Sequence, residues 1–332
     1  MKATIREISR ITGFSPATVS NALNKKKGVN SATSETIIQV AKELGYYEEA
    51  TVKKIRFVMY KTNGLIIDDT PFFTMIMDGF QKECKRNGYE MVIYYLDRRD
   101  MDFEKQVKNL VEEDSSALVL VGAELLDQDF RFFESTECPL LIIDYWHNSM
   151  KYNGILINNE DAVAEAVSYL VSKGHKNIGY LKGSFRIKSF QARECGYLKG
   201  IEQSQLVYNP EYTVLLSTTM DGAYQDMKLY LKRNPKLPTA YFADNDMIAL
   251  GAMKAMKEAG IKIPDEVSMV GFDDLPFSEI SSPRLSSLRV PKQAMGEMAV
   301  HRVLEMMNSR QLVKTKILVC PEFIERDSVK EL

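Results

Sequence analysis

The spacing of apolar residues changes about fifty residues into the chain. Up to that point it is helical, and from Ile55 onward short apolar runs alternate with helical stretches. In the helical part, Ile5, Ile8 and Ile11 fall at spacings that predict one shared face, and Val19 and Leu23 are expected to meet that face from a second helix. The sequence therefore predicts a small helical head followed by a larger α/β body.

The ends of the first two helices follow from local chemistry. Thr4 with Glu7 three residues later predicts a capping box, and Gly13 predicts the end of the first helix. Ser15 followed by Pro16 predicts the start of the second helix, because proline at the first helical position loses no hydrogen bond. Two short helices joined by a glycine turn are typical of a DNA-binding helix-turn-helix, whose second helix enters the major groove.

Charge supports DNA binding over the alternative of a helical hairpin that serves only as a structural cap. Residues 1–56 carry ten Lys and Arg against five Asp and Glu, a net of +5, so the remainder carries −7 to give the chain's net charge of −2. A basic head on an acidic body suits a phosphate backbone at one end only. A third helix is predicted from about Ser31 to Leu44, and the intervening loop, 25–30, could be a solvated loop or lie beside the DNA backbone.

The body reads as two successive α/β units. Strands are predicted at 55–60, 89–96, 117–121 and 139–144, then at 155–157, 178–181, 213–216, 239–243 and 267–272. Helices are predicted at 73–88, 101–112 and 127–134, then at 160–172, 190–203, 221–232 and 247–260. Continuous apolar strands covered by helices indicate parallel sheets. Two such units of similar size predict two lobes with a cleft between them.

Polar residues at the carboxyl ends of the strands are the ligand candidates, because these ends face the crevice in open parallel sheets. Asp144 follows one strand, Asp244 and Asn245 follow another, and Asp273 and Asp274 follow a third. Together with Arg193, on the helix after the strand at 178–181, they supply acceptors and donors suited to a polyhydroxylated ligand. Phe72 and Phe73 lie after the first strand and could offer an apolar face to a ring.

Each candidate also has a purely structural interpretation. Asn245 or Asp246 could simply cap a helix, and Arg193 could pair with a surface acid. Phe72 and Phe73 could belong to the core, and Trp146, the sole tryptophan, could stack on a ligand or fill the rim of the cleft.

Composition narrows the class of protein further. The 332 residues are 45% hydrophobic and 27% charged, with no apolar run long enough to span a bilayer and no signal peptide at MKATIREISR, so we expect a cytoplasmic protein with no membrane partner. Four scattered cysteines and three histidines argue against a zinc site or disulfide framework, and we expect no metal or cofactor. No nucleotide-binding loop or nucleophile motif is present, which argues against an enzyme.

With these motifs in view, the chain resembles bacterial transcriptional regulators of the lactose-repressor and galactose-repressor type. The resemblance rests on the head sequence, PFFTMIMDGFQKECKRNGY, VSKGHKNIGYLKG, ARECGYLKGI, PTAYFADNDMIALGAMKAMKEAGIKIPDEVSMVGFDD and ERDS. It implies an α/β fold with a three-helix head on residues 1–54 and a periplasmic-binding-protein-like effector domain on 55–332. The first lobe is expected at about 55–157 and 291–318, and the second at about 158–290 and 319–332.

The resemblance also implies site residues. The effector contacts would fall on Phe72, Phe73, Asp144, Arg193, Asn245 and Asp273. The DNA-binding set would be Thr4, Ser15, Pro16, Ala17, Thr18, Ser20, Asn21 and Asn24. Within it, Pro16, Ala17 and Asn21 would read bases, while Ser15, Thr18 and Ser20 would contact the backbone. Asn21 stands where the family often has arginine, so an adenine preference replaces a guanine preference at that position.

From this resemblance we expect a repressor that binds a near-palindromic double-stranded operator as a homodimer. Its effector is expected to be small, a sugar or sugar derivative. Only six residues follow Arg326, too few for a coiled coil, which favours a dimer over a tetramer. Residues 47–54, YEEATVKK, lack the family's wedge leucine, so we expect little operator bending. The alternative function is a solute-binding protein for sugar uptake, which the basic head and absent signal peptide disfavour.

Overall fold

The computed structural model describes residues 4–23, 29–44, 46, 53–112, 117–308 and 313–332. The chain divides into two compact units, Met1–Lys53 and Lys54–Leu332. Asn24 of the predicted DNA-binding set, residues 25–28 of the predicted loop at 25–30 and residues 47–52 of the predicted linker at 47–54 lie outside the described residues.

The head contains three helices, α1 (Ile5–Thr12), α2 (Pro16–Leu23) and α3 (Ser31–Glu43). Its buried core consists of Ile8, Val19, Ala22, Ile37 and Ala41, with Ile5 and Leu23 packed against it. The prediction that Ile11 shares this face is wrong, since its side chain is 53% exposed. Each residue turns about 100°, so Ile11 lies about 120° around the helix from Ile5, beyond the buried stripe.

The second unit holds helices α4 to α11 and strands β1 to β12 among the described residues. The helices are α4 (Phe72–Arg86), α5 (Phe103–Glu112), α6 (Asn159–Ser172), α7 (Lys188–Gln203), α8 (Met220–Leu231), α9 (Asp246–Glu258), α10 (Pro276–Ile280) and α11 (Lys292–Asn308). The strands are β1 (Lys53–Lys61), β2 (Tyr89–Asp97), β3 (Ala117–Val121), β4 (Leu140–Ile143), β5 (Asn153–Ile157), β6 (Ile178–Gly183), β7 (Thr213–Leu216), β8 (Ala240–Ala243), β9 (Ser268–Asp273), β10 (Ser286–Arg289), β11 (Lys316–Val319) and β12 (Glu322–Ile324).

The strands form two six-stranded sheets, as the predicted two-lobed α/β fold requires. The first-lobe sheet has the order β11-β5-β4-β3-β1-β2, and the second-lobe sheet has the order β12-β10-β9-β8-β6-β7. Strands β3, β4, β5 and β11 run parallel to their neighbours, and β12 runs antiparallel to β10. Because β11 belongs to the first sheet and β12 to the second, the chain passes between the lobes for the last time after Val319.

Strand β1 shows why both faces of the first sheet are covered. Ile55, Phe57 and Met59 belong to the core cluster that includes residues of α4 and α11, whereas Val58 and Tyr60 belong to a second cluster with residues of α5. Successive residues of a strand point to opposite faces, so the apolar residues of β1 contribute to two cores at once.

One further prediction of local structure needs correction, and five elements were not predicted. Residues Asp127–Phe133, predicted as a helix to 134, form a 3₁₀ helix. The elements after β9, namely α10, β10, α11, β11 and β12, were not predicted individually. One of them, α11, packs closely against α4, where Gly79 and Gly296 allow the two backbones to approach.

Candidate functional site

The helix-turn-helix geometry is built by the residues that the sequence indicated. The Thr4 hydroxyl accepts a hydrogen bond from the Glu7 amide, and the Glu7 carboxylate accepts one from the Thr4 amide, which completes the predicted capping box. Gly13 ends α1 with a φ of 74°, a conformation that favours glycine. The Ser15 hydroxyl accepts a hydrogen bond from the Thr18 amide at 3.1 Å and so caps α2.

The start of α2 is open to solvent. Ser15, Pro16 and Ala17 are exposed, and Asn21 is half-buried one turn further along. Thr18 and Ser20 are also half-buried, and Thr4 is exposed at the start of α1. The first turn of α2 thus presents its side chains outward on a packed three-helix core. Base contacts by these residues remain a prediction.

In the second unit, Arg193 is the centre of the polar cluster between the lobes. It is buried on α7, where its Nε donates to Asn159 Oδ1 at 2.9 Å and its Nη1 donates to the Asp244 carbonyl at 2.6 Å. Its Nη2 lies 3.3 Å from Asp273 Oδ1, and its guanidinium stacks on the Phe272 ring with 3.6 Å between Cζ and the ring centroid. The alternative that Arg193 pairs with a surface acid is therefore wrong.

Asp144 and Asp273 face this arginine from opposite lobes. Asp144 follows β4 of the first lobe and accepts a hydrogen bond from the hydroxyl of Ser189, which lies on α7 of the second lobe. Burial raises the pKa of Asp144 to about 6, against the opposing effect of Arg193. Burial also raises the pKa of Asp273, while Arg193 and Lys292 lower it.

Backbone conformation at these two positions is unusual. Asp144 has a φ of 56° and Asp273 a φ of 103°, in the left-handed region that non-glycine residues seldom occupy. Such strain persists where surrounding contacts fix the residue, and it concentrates at functional sites. Both strand-end positions expected from the sequence thus combine an unusual backbone conformation with contacts to α7, through Ser189 for Asp144 and through Arg193 for Asp273.

The other predicted effector residues differ in their surroundings. Asn245 caps α9, because its Oδ1 accepts from the Ile248 amide at 3.0 Å, so the capping alternative is observed for this residue. Phe72 and Phe73 open α4, are both buried, and meet edge to face with 5.1 Å between ring centroids. The Lys292 ammonium lies 5.6 Å from the centroid of the Phe72 ring, so Phe72 is linked to the polar cluster through Lys292.

Several residues of the cluster were not identified from the sequence. Lys292 begins α11 and donates to the carbonyl oxygens of Asp273 and Asp274. Burial lowers its pKa. Ser189 lies one helical turn before Arg193, and Asn159 follows the end of β5. The strand-end rule applied to β5 would have found Asn159, but no local signal marked Lys292.

A cavity of about 310 Å³ adjoins Asp144 and Ser189. Its remaining lining residues are Trp146, Leu156, Ile157, Asn158, Asn159, Glu160, Lys188, Ala192 and Leu318. Trp146 is 44% exposed, and the Lys316 ammonium lies 4.4 Å from the centroid of its ring. The lining combines one indole with carboxylate, amide, hydroxyl and ammonium groups, a mixture that can hydrogen-bond and stack on the same ligand.

Two absences concern only the described parts of the chain. There, no group of three His, Cys, Asp or Glu is arranged to hold a metal ion. No helix within those same ranges combines the length and the apolar character needed to cross a membrane.

A two-lobed α/β domain with a polar cluster between its lobes, joined in one chain to a helix-turn-helix head, defines a ligand-controlled DNA-binding regulator. The profile described as "Bacterial regulatory proteins, lacI family" matches residues 4–49, and the one described as "Periplasmic binding protein-like domain" matches residues 167–329.

Curated relatives match along almost the whole chain. The probable HTH-type transcriptional repressor ExuR of Bacillus subtilis is 30% identical over 338 residues, covering 99% of both chains. The HTH-type transcriptional repressor PurR of Vibrio campbellii is 27% identical over the same length and coverage. The chain belongs to the lacI family of bacterial regulatory proteins, and it is a DNA-binding transcriptional repressor controlled by a small ligand.

Solved structures share the fold. The transcriptional regulator CelR–cellobiose complex aligns with a TM-score of 0.75 and 20% identity over 98% of this chain and all of that one. The lac repressor dimer bound to operator and the anti-inducer ONPF aligns with a TM-score of 0.74 and 24% identity over 99% and 100%.

Proposed function

We propose that the ligand is a carbohydrate or carbohydrate derivative bound between the two lobes, in contact with Asp144, Arg193 and Asp273. The observation that carries this proposal is the convergence of two buried carboxyl groups from opposite lobes on one arginine beside the cavity. Vicinal hydroxyl groups donate to carboxylates and accept from guanidinium, so a polyol matches this set of groups. The cellobiose complex of a structural relative supports the same class of ligand.

The protein's own contacts indicate how the ligand would be accepted. A ligand hydroxyl would replace the Ser189 hydroxyl on Asp144 and would share Asp273 with Arg193. Both carboxyl groups are desolvated, so hydrogen bonds to them are stronger than in water and an unmatched group is costly. This arrangement favours ligands with several hydroxyl groups over apolar ones. Phe72 and Asn245 stay in the proposed site as neighbours of Lys292 and of the Asp244 carbonyl.

The proposed working form is a homodimer on a near-palindromic operator. Strand β2 is the edge of the first-lobe sheet and exposes Ile93 and Tyr95 on one face. Ile280 and Phe277 expose a further apolar area on the second lobe. These exposed apolar side chains are available for contact with a second copy, and the lac repressor relative is a dimer on its operator. A ligand that binds one arrangement of the lobes more tightly would shift the dimer and change the spacing of the two heads.

A thermal-shift screen of the full-length chain tests the ligand class, because a ligand that binds only the folded state raises the melting temperature. The screen would include hexoses, hexuronic acids, hexose phosphates and disaccharides, with nucleobases and amino acids as competing classes. A ligand found in this way should bind Asp273→Asn at least tenfold more weakly by calorimetry, and Asp265→Asn, an exposed carboxylate outside the cluster, should bind it normally. A screen in which only a non-carbohydrate shifts the melting temperature would overturn the proposal.

A further inference from the structure

The loop between β1 and α4, residues 62–70, is held by one buried side chain. Glu124 follows β3 and is fully buried. Its Oε2 accepts from the amides of Thr62, Asn63 and Gly64 at 2.9, 3.0 and 2.8 Å. Its Oε1 accepts from the amides of Ile66 and Ile67 at 2.8 and 3.0 Å.

Five backbone donors on one carboxylate fix the conformation of this loop. The Thr62 hydroxyl adds a sixth bond, to the Glu124 carbonyl at 2.6 Å, and Gly64 supplies the turn with a φ of 75°. Buried backbone amides need partners, and here they all share a partner from the same lobe. The loop is therefore preformed by the first lobe, whatever the second lobe does.

The far end of the same loop reaches the second lobe. The Asp69 carboxylate accepts a hydrogen bond at 2.9 Å from the amide of Met220, the first residue of α8. The buried hydroxyl of Thr218 donates to the Leu65 carbonyl at 3.4 Å. A carboxylate at a helix N-terminus is favoured by the helix dipole as well as by the hydrogen bond.

From these contacts we propose that residues 62–70 form an inter-lobe latch that stabilises the arrangement of the two lobes seen in the structure. Asp69 is the contact residue of the latch, and Glu124 is a positioning residue that acts through the loop. The loop runs directly into Phe72 at the start of α4, so the latch also sets where α4 begins relative to the cleft. The latch concerns contact between the lobes and requires neither an identified effector nor an operator.

Hydrogen exchange of the full-length protein without ligand tests the proposal. Asp69→Ala should speed exchange of the Met220 amide about tenfold or more, because it removes a charge-assisted hydrogen bond across the cleft. Asp68→Ala is the matched control, since Asp68 pairs with Lys61 on its own lobe. Equal exchange at Met220 in the wild type and Asp69→Ala would overturn the latch.

The role of Glu124 has a separate readout. Glu124→Gln keeps the side-chain shape but presents an amide group to backbone donors, so exchange of amides 62–67 should rise. As a positioning residue, Glu124 should also control exchange of the Met220 amide, which it does not contact and which bonds to Asp69, 151 residues earlier in the chain. Faster exchange confined to the loop would show that Glu124 has only a local role. Thr218→Val, which removes the second contact, should accelerate Met220 exchange even if Glu124→Gln does not fold.

These measurements remain informative if the proposed carbohydrate specificity is wrong, because no sugar takes part in them. Failure of the latch would appear as unchanged exchange in α8. Failure of the ligand assignment would appear only in the binding screen.

Discussion

The Ser189 hydroxyl of the second lobe donates a hydrogen bond to the Asp144 carboxylate of the first lobe at 2.8 Å. It is one of several bonds that join the lobes directly. A second, next to it in sequence, is the ion pair between Lys188 and Asp127 at 2.8 Å. Both come from the first residues of α7, and α7 also carries Arg193. Any ligand that competes for Asp144 therefore acts on the same helix that supplies the arginine.

Asp144 predicts a pH dependence of stability. Its pKa is about 6 in the folded protein and 3.8 in the reference state, so the folded state holds its proton to higher pH. The unfolding free energy therefore falls between about pH 4 and pH 6 as this proton is lost, by about 3 kcal/mol at most. Asp144→Asn keeps an acceptor for Ser189 and should remove that fall. The difference between the variant and the wild type, measured by urea unfolding at several pH values, should grow up to about pH 6 and then stay level.

Asp127 is the control for this experiment, because its effect on the pH dependence of stability has the opposite sign. Lys188 and Tyr145 lower the pKa of Asp127, so its contribution to stability is present above its unfolded pKa and is lost as the pH falls. Asp127→Asn should therefore lose stability relative to the wild type near neutral pH and recover in acid. Parallel pH profiles for wild type and Asp144→Asn would contradict the assignment.

We expect removal of Arg193 to lower the free energy of unfolding, and not only to weaken ligand binding. Its three hydrogen bonds go to Asn159, the Asp244 carbonyl and Asp273, and its loss removes the opposite charge that acts on Asp144 and one of the two that act on Asp273. Breaking a buried pair in this way costs about 3 to 5 kcal/mol. Urea unfolding of Arg193→Ala should show that loss. Gln191→Ala, at an exposed position of the same helix, should change stability little, and an equally mild Arg193→Ala would show that the cluster is hydrated.

Gly79 and Gly296 predict a stability effect from close helix packing. A Cβ on Gly79 would overlap the Gln293 carbonyl, and a Cβ on Gly296 would overlap the Ile76 carbonyl. Gly79→Ala must push α4 away from α11, at a cost of about 1 to 3 kcal/mol, despite alanine's better helix propensity. Gln81→Ala on the exposed side of α4 should stay within about 0.5 kcal/mol of wild type. Thermal unfolding of the two variants distinguishes them, and a stabilised Gly79→Ala would contradict the packing.

The sequence predicted those parts of the fold that depend on local pattern. Strands β3 and β7 were predicted with the bounds that the structure shows, because each contains a short apolar run that stands out from the sequence before it. Strand β10, Ser286–Arg289, was missed, since serine does not indicate a buried strand. Ser287 is nevertheless fully buried, because its hydroxyl donates to Asp246, a partner 41 residues earlier.

The residues of the candidate site were likewise predicted only in part. Asp144 and Asp273 were found from their place at strand ends, and the structure sets both against Arg193. Lys292 was not found, because its position depends on the missed strand β10 immediately before it. Glu124 was also missed, since the amides that bind it lie about sixty residues away in a loop with no sequence signal. Partners distant along the chain become visible only when the sheets are assembled.

Asn21 carries the last prediction, which concerns the operator. It lies on α2 one turn after the exposed residues Pro16 and Ala17, and asparagine pairs best with adenine in the major groove. Asn21→Ala should therefore relax base preference at one symmetric pair of operator positions, with a loss of about 1 to 3 kcal/mol on the preferred sequence, and leave the salt dependence nearly unchanged. Lys25→Ala should do the reverse, lowering affinity for every sequence and reducing the salt dependence, because a phosphate contact carries no base information. Selection from random DNA, followed by binding titrations at several salt concentrations, measures both effects. An identical consensus for wild type and Asn21→Ala would show that this side chain does not read a base.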